Sequence, residues 1–259
     1  MNSGFPKAIL FDLDDTILCY GSPTACWRGV CGTYATQIGD IEPDTVLEAI
    51  DTYRRWYWSD PERHRRGRLN LMMARREMVA GAFAALNLDN PDLAVTMADA
   101  FSLQREAGLK PFEGAVETLC QLRAQGVRLA LITNGAAQPQ RDKVTQHKLT
   151  DYFDCIIIEG EFGCGKPDEK VYLHAMEQLQ VAPHETWMVG DNLEWEVEAP
   201  QRLGIFSIWM DAMRTGLPKD SAVQPDRIIL SITELLEGIE LTNTQGLPQH
   251  KPAVAAARV

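Results

Sequence analysis

Short apolar segments recur along the chain, and five of them end at polar or glycine residues, as buried strands do. The five are Lys7–Asp12, Val127–Thr133, Cys155–Glu159, Thr186–Gly190 and Ile205–Met210. Apolar runs without alternation are typical of parallel strands that helices cover on both faces. The pattern therefore predicts five parallel β-strands.

Amphipathic segments separate these strands in the second half of the chain. Apolar residues recur there at helical spacing in Glu113–Gln125, Gln140–Leu149, Asp168–Gln180 and Glu194–Leu203. Strands that alternate with helices are typical of right-handed crossovers in a doubly wound sheet. We predict an α/β fold with a Rossmann-like, doubly wound parallel sheet.

The first half breaks this alternation, because no convincing strand follows Thr16 until the helix near Glu113. Helical spacing instead predicts helices over Thr45–Tyr57, Leu69–Leu86 and Leu93–Leu103, with a turn at Asn87–Pro91. An inserted helical unit after the first strand is the simplest interpretation.

The resulting domain prediction has three parts. Residues 1–18 and 109–240 form the core, and residues 19–108 form an inserted α-helical cap. Residues 241–259 lack amphipathic order, so we expect a mobile tail there.

Composition narrows the class of protein. Hydrophobic residues make up 45% of the chain and charged residues 24%, as in soluble globular proteins. No apolar run approaches the ~18 residues of a membrane span, and the N-terminus lacks a signal-peptide pattern, so we expect a cytoplasmic protein without a membrane partner. A formal charge of -11 argues against charge-driven nucleic-acid binding but leaves small anionic substrates open. Six cysteines without a C-x-x-C pair fit reduced core thiols.

Two carboxylates follow the first predicted strand directly. Asp12 and Asp14 lie two residues apart where the chain leaves the sheet, and ligands of open α/β sheets bind beyond the carboxyl ends of strands. Such a pair suits a nucleophile or metal ligand and a general acid or base. The alternative is a polar turn in which Asp15 or Thr16 caps a helix.

Three other strand ends favour the chemical interpretation. The second predicted strand ends in Thr133, Asn134 and Gly135, which offer a hydroxyl, an amide and a close backbone approach for an anion. Lys166 follows the third strand, and Asp191 with Asn192 follows the fourth. Polar residues that merely form turns do not explain four strand ends with reactive or charged side chains in one chain.

These motifs, in this order, resemble those of the haloacid dehalogenase-like (HAD) hydrolases. The resemblance spans about Lys7 to Leu236. The four motifs correspond to Asp12, Asp14 and Thr16; Thr133; Lys166 and Pro167; and Gly190, Asp191 and Glu196. The chain departs from the pattern at Glu196, where many members have Asp, and at Pro200, where relatives usually have a small residue.

The resemblance implies a phosphatase mechanism. Asp12 would attack phosphorus and form an aspartyl phosphate, and Asp14 would protonate the leaving oxygen and then activate water. The residues implied in holding the phosphoryl oxygens are Thr133, Lys166, Asn134 and Thr16. The substrate would be a small phosphorylated metabolite.

The resemblance also implies Mg²⁺ as cofactor. Its ligands would be the Asp12 carboxylate, the backbone carbonyl of Asp14, and Asp191, in line with the preference of Mg²⁺ for carboxylates and water. Asn192 and Glu196 would lie behind these ligands and support them.

Other reactions can be weighed from the residues. A dehalogenase of the family lacks the second acid, so Asp14 argues against one. A phosphonatase needs a lysine from the insertion, and none occurs between Ala8 and Leu109. A β-phosphoglucomutase-like phosphomutase remains open, as does a catalytically silent binding or scaffold protein. A P-loop over residues 160–166 fails, because Pro167 occupies the position of the required Ser or Thr.

The substrate stays open. The residues around Thr133 and the segment Gln140–Lys143 look like the subgroup of nucleotidases and N-acylneuraminate-9-phosphatases, and phosphoglycolate and other sugar phosphates remain open.

An arginine-rich stretch distinguishes the predicted cap. Between Asp51 and Arg76 there are eight arginines against three acids. The arginines are Arg54, Arg55, Arg63, Arg65, Arg66, Arg68, Arg75 and Arg76. They form either a solvated face with ion pairs or a group of which some bind an anionic part of the substrate. We expect at least one within Arg63–Arg76 to control substrate choice.

Overall fold

A six-stranded parallel sheet is the centre of the structure, a computed structural model that describes residues 5–237. The strands of the chain are β1 Ala8–Phe11, β2 Leu18–Cys19, β3 Lys110–Pro111, β4 Arg128–Thr133, β5 Cys155–Ile158, β6 Thr186–Gly190, β7 Phe206–Met210 and β8 Arg227–Ile229. The sheet order is β5-β4-β1-β6-β7-β8. Because the chain winds outward from β1 in both directions, the fold is the predicted doubly wound α/β architecture.

The five predicted strands are present, and three short strands were missed. β8 lies at the edge of the sheet and has only three residues, with Ile228 exposed. β2 and β3 form a separate antiparallel pair that joins Leu18 to Pro111 and Cys19 to Lys110. This pair ties together the two ends of the chain segment that lies between them.

The helices are α1 Pro23–Thr33, α2 Ala35–Ile38, α3 Pro43–Trp58, α4 Pro61–Arg68, α5 Leu71–Ala85, α6 Pro91–Ala107, α7 Ala115–Ala124, α8 Ala137–Gln146, α9 Glu159–Phe162, α10 Glu169–Leu179 and α11 Ala199–Arg202. The first six lie between β2 and β3, and we call residues 23–107 the helical segment. The predicted helices of this region correspond to α3, α5 and α6, whereas α1, α2 and α4 were not predicted.

The prediction of one α-helix over Glu194–Leu203 was wrong. Leu193–Glu198 forms a wider π-helical turn, and only Ala199–Arg202 is α-helical. Pro200 has no N–H to continue the backbone hydrogen bonds of the preceding turn. The carbonyl of Trp195 instead accepts a hydrogen bond from the Tyr172 hydroxyl.

Both faces of the sheet are covered, as the apolar strand pattern requires. Ile9 and Phe11 of β1 belong to a cluster with Leu119 of α7, whereas Leu10 points to the other face, towards Tyr172 of α10. The helical segment has an apolar core of its own, centred on Trp27, Val46, Ile50, Val79, Phe83, Met97 and Phe101. The molecule therefore contains separate apolar cores in its sheet part and in its helical segment.

The predictions on the tail, on membrane spans and on the cysteines have different outcomes. The expected mobile tail, residues 241–259, lies outside the described residues, as do residues 1–4 and 238–240. Within residues 5–237, no helix has both the length and the apolar character to cross a membrane.

The six cysteines form no disulfide, but only Cys31 is fully buried and Cys120 is exposed, so the prediction of core thiols was wrong for Cys120.

Candidate active site

The register of the central strands brings the motif residues together. Phe11 of β1 pairs with Leu131 of β4 on one side and with Val189 of β6 on the other. Asp12 continues this register, since its N–H donates to the Val189 carbonyl at 3.0 Å. Thr133 and Asp191, each two residues beyond the paired positions, therefore flank the end of β1.

A cavity of about 530 Å³ opens at these strand ends. The sheet part contributes Asp12, Asp14, Thr133, Asn134, Gln140, Lys143, Asp191, Asn192 and Glu196 to its wall. The helical segment contributes His64, Arg68, Asn70, Leu71, Met72, Arg75 and Glu106. The cavity thus lies between the two parts, and seven of the nine side chains predicted for the site line it.

The other two predicted residues lie behind the wall. Lys166 is fully buried, and its Nζ reaches the site from behind Asp12. Thr16 is also fully buried, and its hydroxyl has no hydrogen-bond partner among the described residues. The structure therefore does not place Thr16 on the cavity surface, where a phosphate contact would require it.

Lys166 forms the buried charge centre of the site. Its Nζ lies 2.6 Å from Asp12 Oδ1 and 2.7 Å from Glu196 Oε1. Burial opposes the charge on Lys166, but the two carboxylates outweigh it and raise the pKa of the lysine above its ordinary value. Burial is also the main cause that raises the pKa of Asp12, and Lys166 limits that rise. The lysine is therefore a fixed cation beneath the predicted nucleophile.

Glu196 occupies the position where the family pattern often has Asp. It is buried, and its Oε2 accepts a hydrogen bond from the Asn192 backbone N–H at 2.8 Å. Burial raises the pKa of Glu196 to about 7, although Lys166 acts in the opposite direction. The longer side chain lies across Gly190, where an added Cβ would come within 2.0 Å of Glu196 Cγ. Glycine at 190 is thus required by the glutamate at 196.

Asn192 fixes the loop that carries Asp191. Its side-chain Oδ1 accepts hydrogen bonds from the N–H groups of Glu194 and Trp195, at 3.0 and 3.1 Å. The Asp191 side chain itself faces the cavity and is exposed. Partial desolvation in this crowded cavity, together with repulsion from Asp12 and Glu196, raises the pKa of Asp191 well above its ordinary value.

Asp14 has partners that the sequence analysis did not assign to it. Lys143 Nζ lies 2.9 Å from its Oδ1 and 2.8 Å from its Oδ2, and Gln140 donates to Oδ2 at 2.9 Å. Burial opposes ionisation, but the Lys143 charge and these hydrogen bonds outweigh it and lower the pKa of Asp14. Gln140 and Lys143 are three residues apart on α8 and so share one helix face. That spacing was the available signal for both residues.

The loop after β4 is held by side-chain hydrogen bonds. Gln140 donates to the Thr133 hydroxyl and, at 3.1 Å, to the Asn134 carbonyl. The Asn134 side chain exchanges two hydrogen bonds of 2.8 Å with the backbone N–H and carbonyl of Lys166. Asn134 therefore joins the two loops that carry Thr133 and Lys166.

One arginine of the helical segment reaches this loop. Arg68 forms a bidentate ion pair with Glu159, with Nε–Oε2 at 2.8 Å and Nη2–Oε1 at 2.7 Å. Glu159 Oε2 also accepts the N–H of Gly135 at 3.0 Å, beside the Thr133 loop. The Arg68 guanidinium lies 5.2 Å from the ring of Trp195. Residue spacing gives no indication of this contact, because it joins residues that only the tertiary fold brings together.

The donor set at the strand ends fits the implied Mg²⁺. Within residues 5–237, no three His, Cys, Asp or Glu side chains come close enough to enclose a metal ion by themselves. Mg²⁺ does not need such a cage, since it binds one or two carboxylates and completes its shell with water and substrate oxygens. Asp12 and Asp191 repel one another, and a cation between them would relieve that repulsion. The available donors are hard oxygens without a competing thiol or imidazole ligand in the predicted set.

A sequence model of the haloacid dehalogenase-like hydrolases matches residues 6–204. The chain belongs to this family. The match covers all four motifs and the helical segment between the first and the second.

Relatives within this HAD family are named phosphatases. The chain is 34% identical over 145 residues to phosphoserine phosphatase of Thermus thermophilus, a match that spans 56% of this chain and 57% of the relative. It is 28% identical over 207 residues to glyceraldehyde 3-phosphate phosphatase of Methanopyrus kandleri, covering 78% and 82%. N-acylneuraminate-9-phosphatase of Rattus norvegicus is 35% identical over 118 residues, covering 45% and 47%.

Solved HAD structures share the fold. The magnesium-bound HAD hydrolase YfnB of Bacillus subtilis superposes with a TM-score of 0.68 at 19% identity, over 90% of this chain and 98% of that one. L-2-haloacid dehalogenase of Xanthobacter autotrophicus gives 0.59 at 20% identity, over 91% and 100%. At these identities the likeness establishes the architecture and not the reaction.

Proposed function

We propose that this chain is a Mg²⁺-dependent phosphomonoesterase that hydrolyses a small phosphorylated metabolite through an aspartyl phosphate on Asp12. The observation that carries the proposal is the Asp12 carboxylate at the cavity wall, held from behind by the buried Lys166 at 2.6 Å, with Asp14 lining the same cavity. The phosphatase names of the relatives support the substrate class. The absence of nucleic-acid and membrane partners and a cytoplasmic location belong to the same proposal.

Asp12 acts as the nucleophile. Lys166 holds its Oδ1, and no side chain among the described residues donates a hydrogen bond to Oδ2, which is therefore free to attack. A bond forms between Asp12 and phosphorus while the bond between phosphorus and the ester oxygen breaks. Lys166, the Thr133 hydroxyl and the backbone at Asn134 offset the negative charge on the phosphoryl oxygens.

Asp14 moves the protons of both steps. In the first step it gives a proton to the leaving oxygen, and in the second it takes one from the water that attacks the phosphoryl group. That attack breaks the bond to Asp12 and releases phosphate. In the free protein, Lys143 holds Asp14 as an anion. When a phosphate dianion binds, it disfavours a second negative charge nearby, which favours protonation of Asp14.

Mg²⁺ would be held by the Asp12 carboxylate, the Asp14 backbone carbonyl and Asp191. When bound, it supplies positive charge that reduces the repulsion between the Asp12 carboxylate and the phosphate dianion. Asn192 orders the Asp191 loop, and Glu196 shares the Lys166 charge with Asp12.

The helical segment acts as a cap in this proposal. It provides one wall of the cavity, and a closed cavity keeps bulk water away from the aspartyl phosphate. We place the cap at residues 19–108 and the core at residues 1–18 and 109–240, as predicted from the sequence.

A turnover screen tests the proposed function. The purified chain with MgCl₂ is assayed for phosphate release from a panel of sugar phosphates, nucleotides and phosphorylated acids. We expect release from at least one, and a loss of about 1,000-fold or more in kcat for Asp12→Asn, because the nucleophile is removed. Asp151→Asn, an exposed aspartate outside the cavity, is the matched control and should be unchanged.

Other outcomes separate the remaining alternatives. An isomerised product in the presence of a sugar bisphosphate activator would indicate a phosphomutase. No turnover of any compound would favour a silent scaffold, and normal activity in Asp12→Asn would contradict the mechanism.

A further inference from the structure

The cationic side chains around the cavity differ in whether they already have a partner. Within residues 5–237, four basic side chains line it: His64, Arg68, Arg75 and Lys143. Arg68 is paired with Glu159 and Lys143 with Asp14. Burial and the nearby Arg68 lower the pKa of His64, which keeps the imidazole neutral. Arg75 alone of these four is a cation that makes no ion pair or hydrogen bond with any described residue.

Arg75 is nevertheless held in position. It lies in the second turn of α5, and its Cζ is 5.4 Å from the ring of Phe101. Phe101 is itself stacked on Trp27, with ring centroids 3.9 Å apart and planes at 7°. An aromatic face orients a guanidinium without neutralising it. The side chain is therefore placed at the cavity with its donors still available.

The charged and titratable groups around Arg75 do not replace a ligand. Glu106 of α6 lines the same cavity and attracts Arg75, but it does not come within ion-pair distance. Tyr20 and Cys26 are nearby and carry no charge at neutral pH, and Arg105 repels it. Burial lowers the pKa of Arg75, yet a guanidinium stays protonated in proteins. A half-buried charge without a counter-anion is costly, and an anionic ligand would offset that cost.

We propose that Arg75 binds a second anionic group of the substrate, so that the preferred substrates are phosphomonoesters that carry a further carboxylate or phosphate. This inference rests on the proposed function and adds the substrate class to it. The planar fork of arginine pairs with the two oxygens of such a group in bidentate fashion.

The position of Arg75 indicates the far end of the substrate and not the reacting phosphate. Lys166 contacts Asp12 and Thr133 flanks the end of β1, whereas Arg75 lines the cavity from the helical segment. Arg75 and Leu71 also line a smaller cavity of about 130 Å³ beside the main one. The site therefore has room around Arg75 for a part of the substrate beyond its phosphoryl group.

The neighbouring arginine provides a matched control. Arg76 follows Arg75 on the same helix but forms a bidentate pair with Asp99, at 2.8 and 2.7 Å, and does not line the cavity. Arg76→Ala removes the same side chain from the same helix without changing the cavity. A difference between the two variants reports on the site and not on the helix.

Kinetics with matched esters test the inference. Phosphoglycolate and ethylene glycol monophosphate differ in whether a carboxylate or a neutral hydroxymethyl group lies at the same distance from the phosphate, and ethylene glycol bisphosphate carries a second phosphate there. We expect kcat/KM to favour an anionic ester by about 10- to 100-fold in the wild type, the range for a charged hydrogen-bonded pair. The preference should vanish in Arg75→Ala, return in part in Arg75→Lys, and persist in Arg76→Ala. If only phosphoglycolate loses its kcat/KM advantage in Arg75→Ala, Arg75 binds a carboxylate. If only the bisphosphate loses it, Arg75 binds a phosphate.

A binding measurement separates this inference from the proposed function. Calorimetric titration of phosphonopropionate and propylphosphonate, with Mg²⁺ present, compares a carboxylated and an uncharged chain without any turnover. Tighter binding of the carboxylated compound that depends on Arg75 supports the subsite. Equal binding in the wild type, together with an absent kinetic preference for either anionic ester, would overturn it, as would a preference that survives in Arg75→Ala. Absent turnover of every ester would instead contradict the proposed function, while the titration would still decide on the subsite.

Discussion

The pairing of Asp14 with Lys143 sets the protonation of the group that moves protons in the proposed mechanism. Lys143 contacts both carboxylate oxygens. The Asp14 side chain is 30% exposed and that of Lys143 is 12% exposed. Burial alone would raise the pKa of Asp14, so its lowered pKa depends on the neighbouring cation. Lys143 thus acts on the reaction through Asp14.

Replacing Lys143 should change the pH dependence of the enzyme. In Lys143→Met the pKa of Asp14 rises, because the burial effect is no longer opposed by the lysine. The acid form of Asp14 in the substrate complex then persists to higher pH, and the descending limb of kcat for an alkyl phosphate moves to higher pH. Lys143→Arg keeps the charge and should leave the limb in place. An unchanged limb in Lys143→Met would show that Asp14 is not the acid.

The residues of the site divide by how they are recognised in a sequence. Asp12, Asp14 and Asp191 come soon after strands and Thr133 ends one, and the parallel sheet brings such positions to one edge. Lys166 could be expected from its place after β5. Its contact with Glu196 could not, because Glu196 lies in the π-helical turn that precedes Pro200. Thr16 shows the limit of motif matching, since its side chain is buried without lining the cavity.

At the scale of elements, α4 connects the helical segment to the sheet part. Its sequence is almost entirely polar, so hydrophobic periodicity could not predict it. Asp60 caps its first turn by accepting the Arg63 N–H at 2.8 Å, and Pro61 begins the helix with a favourable backbone angle. Arg68 at its last position then pairs with Glu159 at the end of β5. Arg63 also donates to the Trp56 and Tyr57 carbonyls of α3, at 2.8 and 3.3 Å. Capping, these contacts with α3 and the distant Arg68 pair therefore hold a helix without an apolar face.

Removing Arg68 should destabilise the protein. Glu159 is 3% exposed in its side chain, and Arg68→Ala would leave its charge buried without the bidentate partner. We expect a loss of about 3 kcal/mol in the free energy of unfolding, measured by denaturant titration. Arg66→Ala on the same helix removes an exposed pair with Glu77 at 3.5 Å and should cost less than about 1 kcal/mol. Equal losses in the two variants would contradict a special role for the Arg68 pair.

The elements that carry apolar periodicity were predictable, and those formed by pairing or capping were not. Strands β1, β4, β5, β6 and β7 and helices α3, α5, α6, α7, α8 and α10 follow from the spacing of apolar residues. β2 and β3 have two residues each, and their pairing joins residues 18 and 111, far beyond any local pattern. Short elements of this kind depend on contacts that only the folded chain supplies.

At the scale of the molecule, the site is the space between a sheet core and a helical core. The sheet part presents the residues for phosphoryl transfer, and the helical segment presents Arg68 and Arg75. Most of the arginine-rich stretch does not face the cavity, since Arg54 and Arg55 pair with Asp51 and Arg76 pairs with Asp99. The excess of arginine is therefore mainly a surface feature, and two of its members belong to the site.

The most direct measurement of the central claim is the mass of the Asp12 peptide after rapid acid quench during turnover. An aryl phosphate is used, because its leaving group departs without help from an acid, and Asp14→Asn slows the hydrolysis that would remove the intermediate. We expect one phosphoryl group on Asp12 in that variant, less in the wild type, and none in Asp12→Asn. Steady turnover by the wild type with an unmodified Asp12 peptide in Asp14→Asn, or a phosphoryl group on another residue, would contradict it.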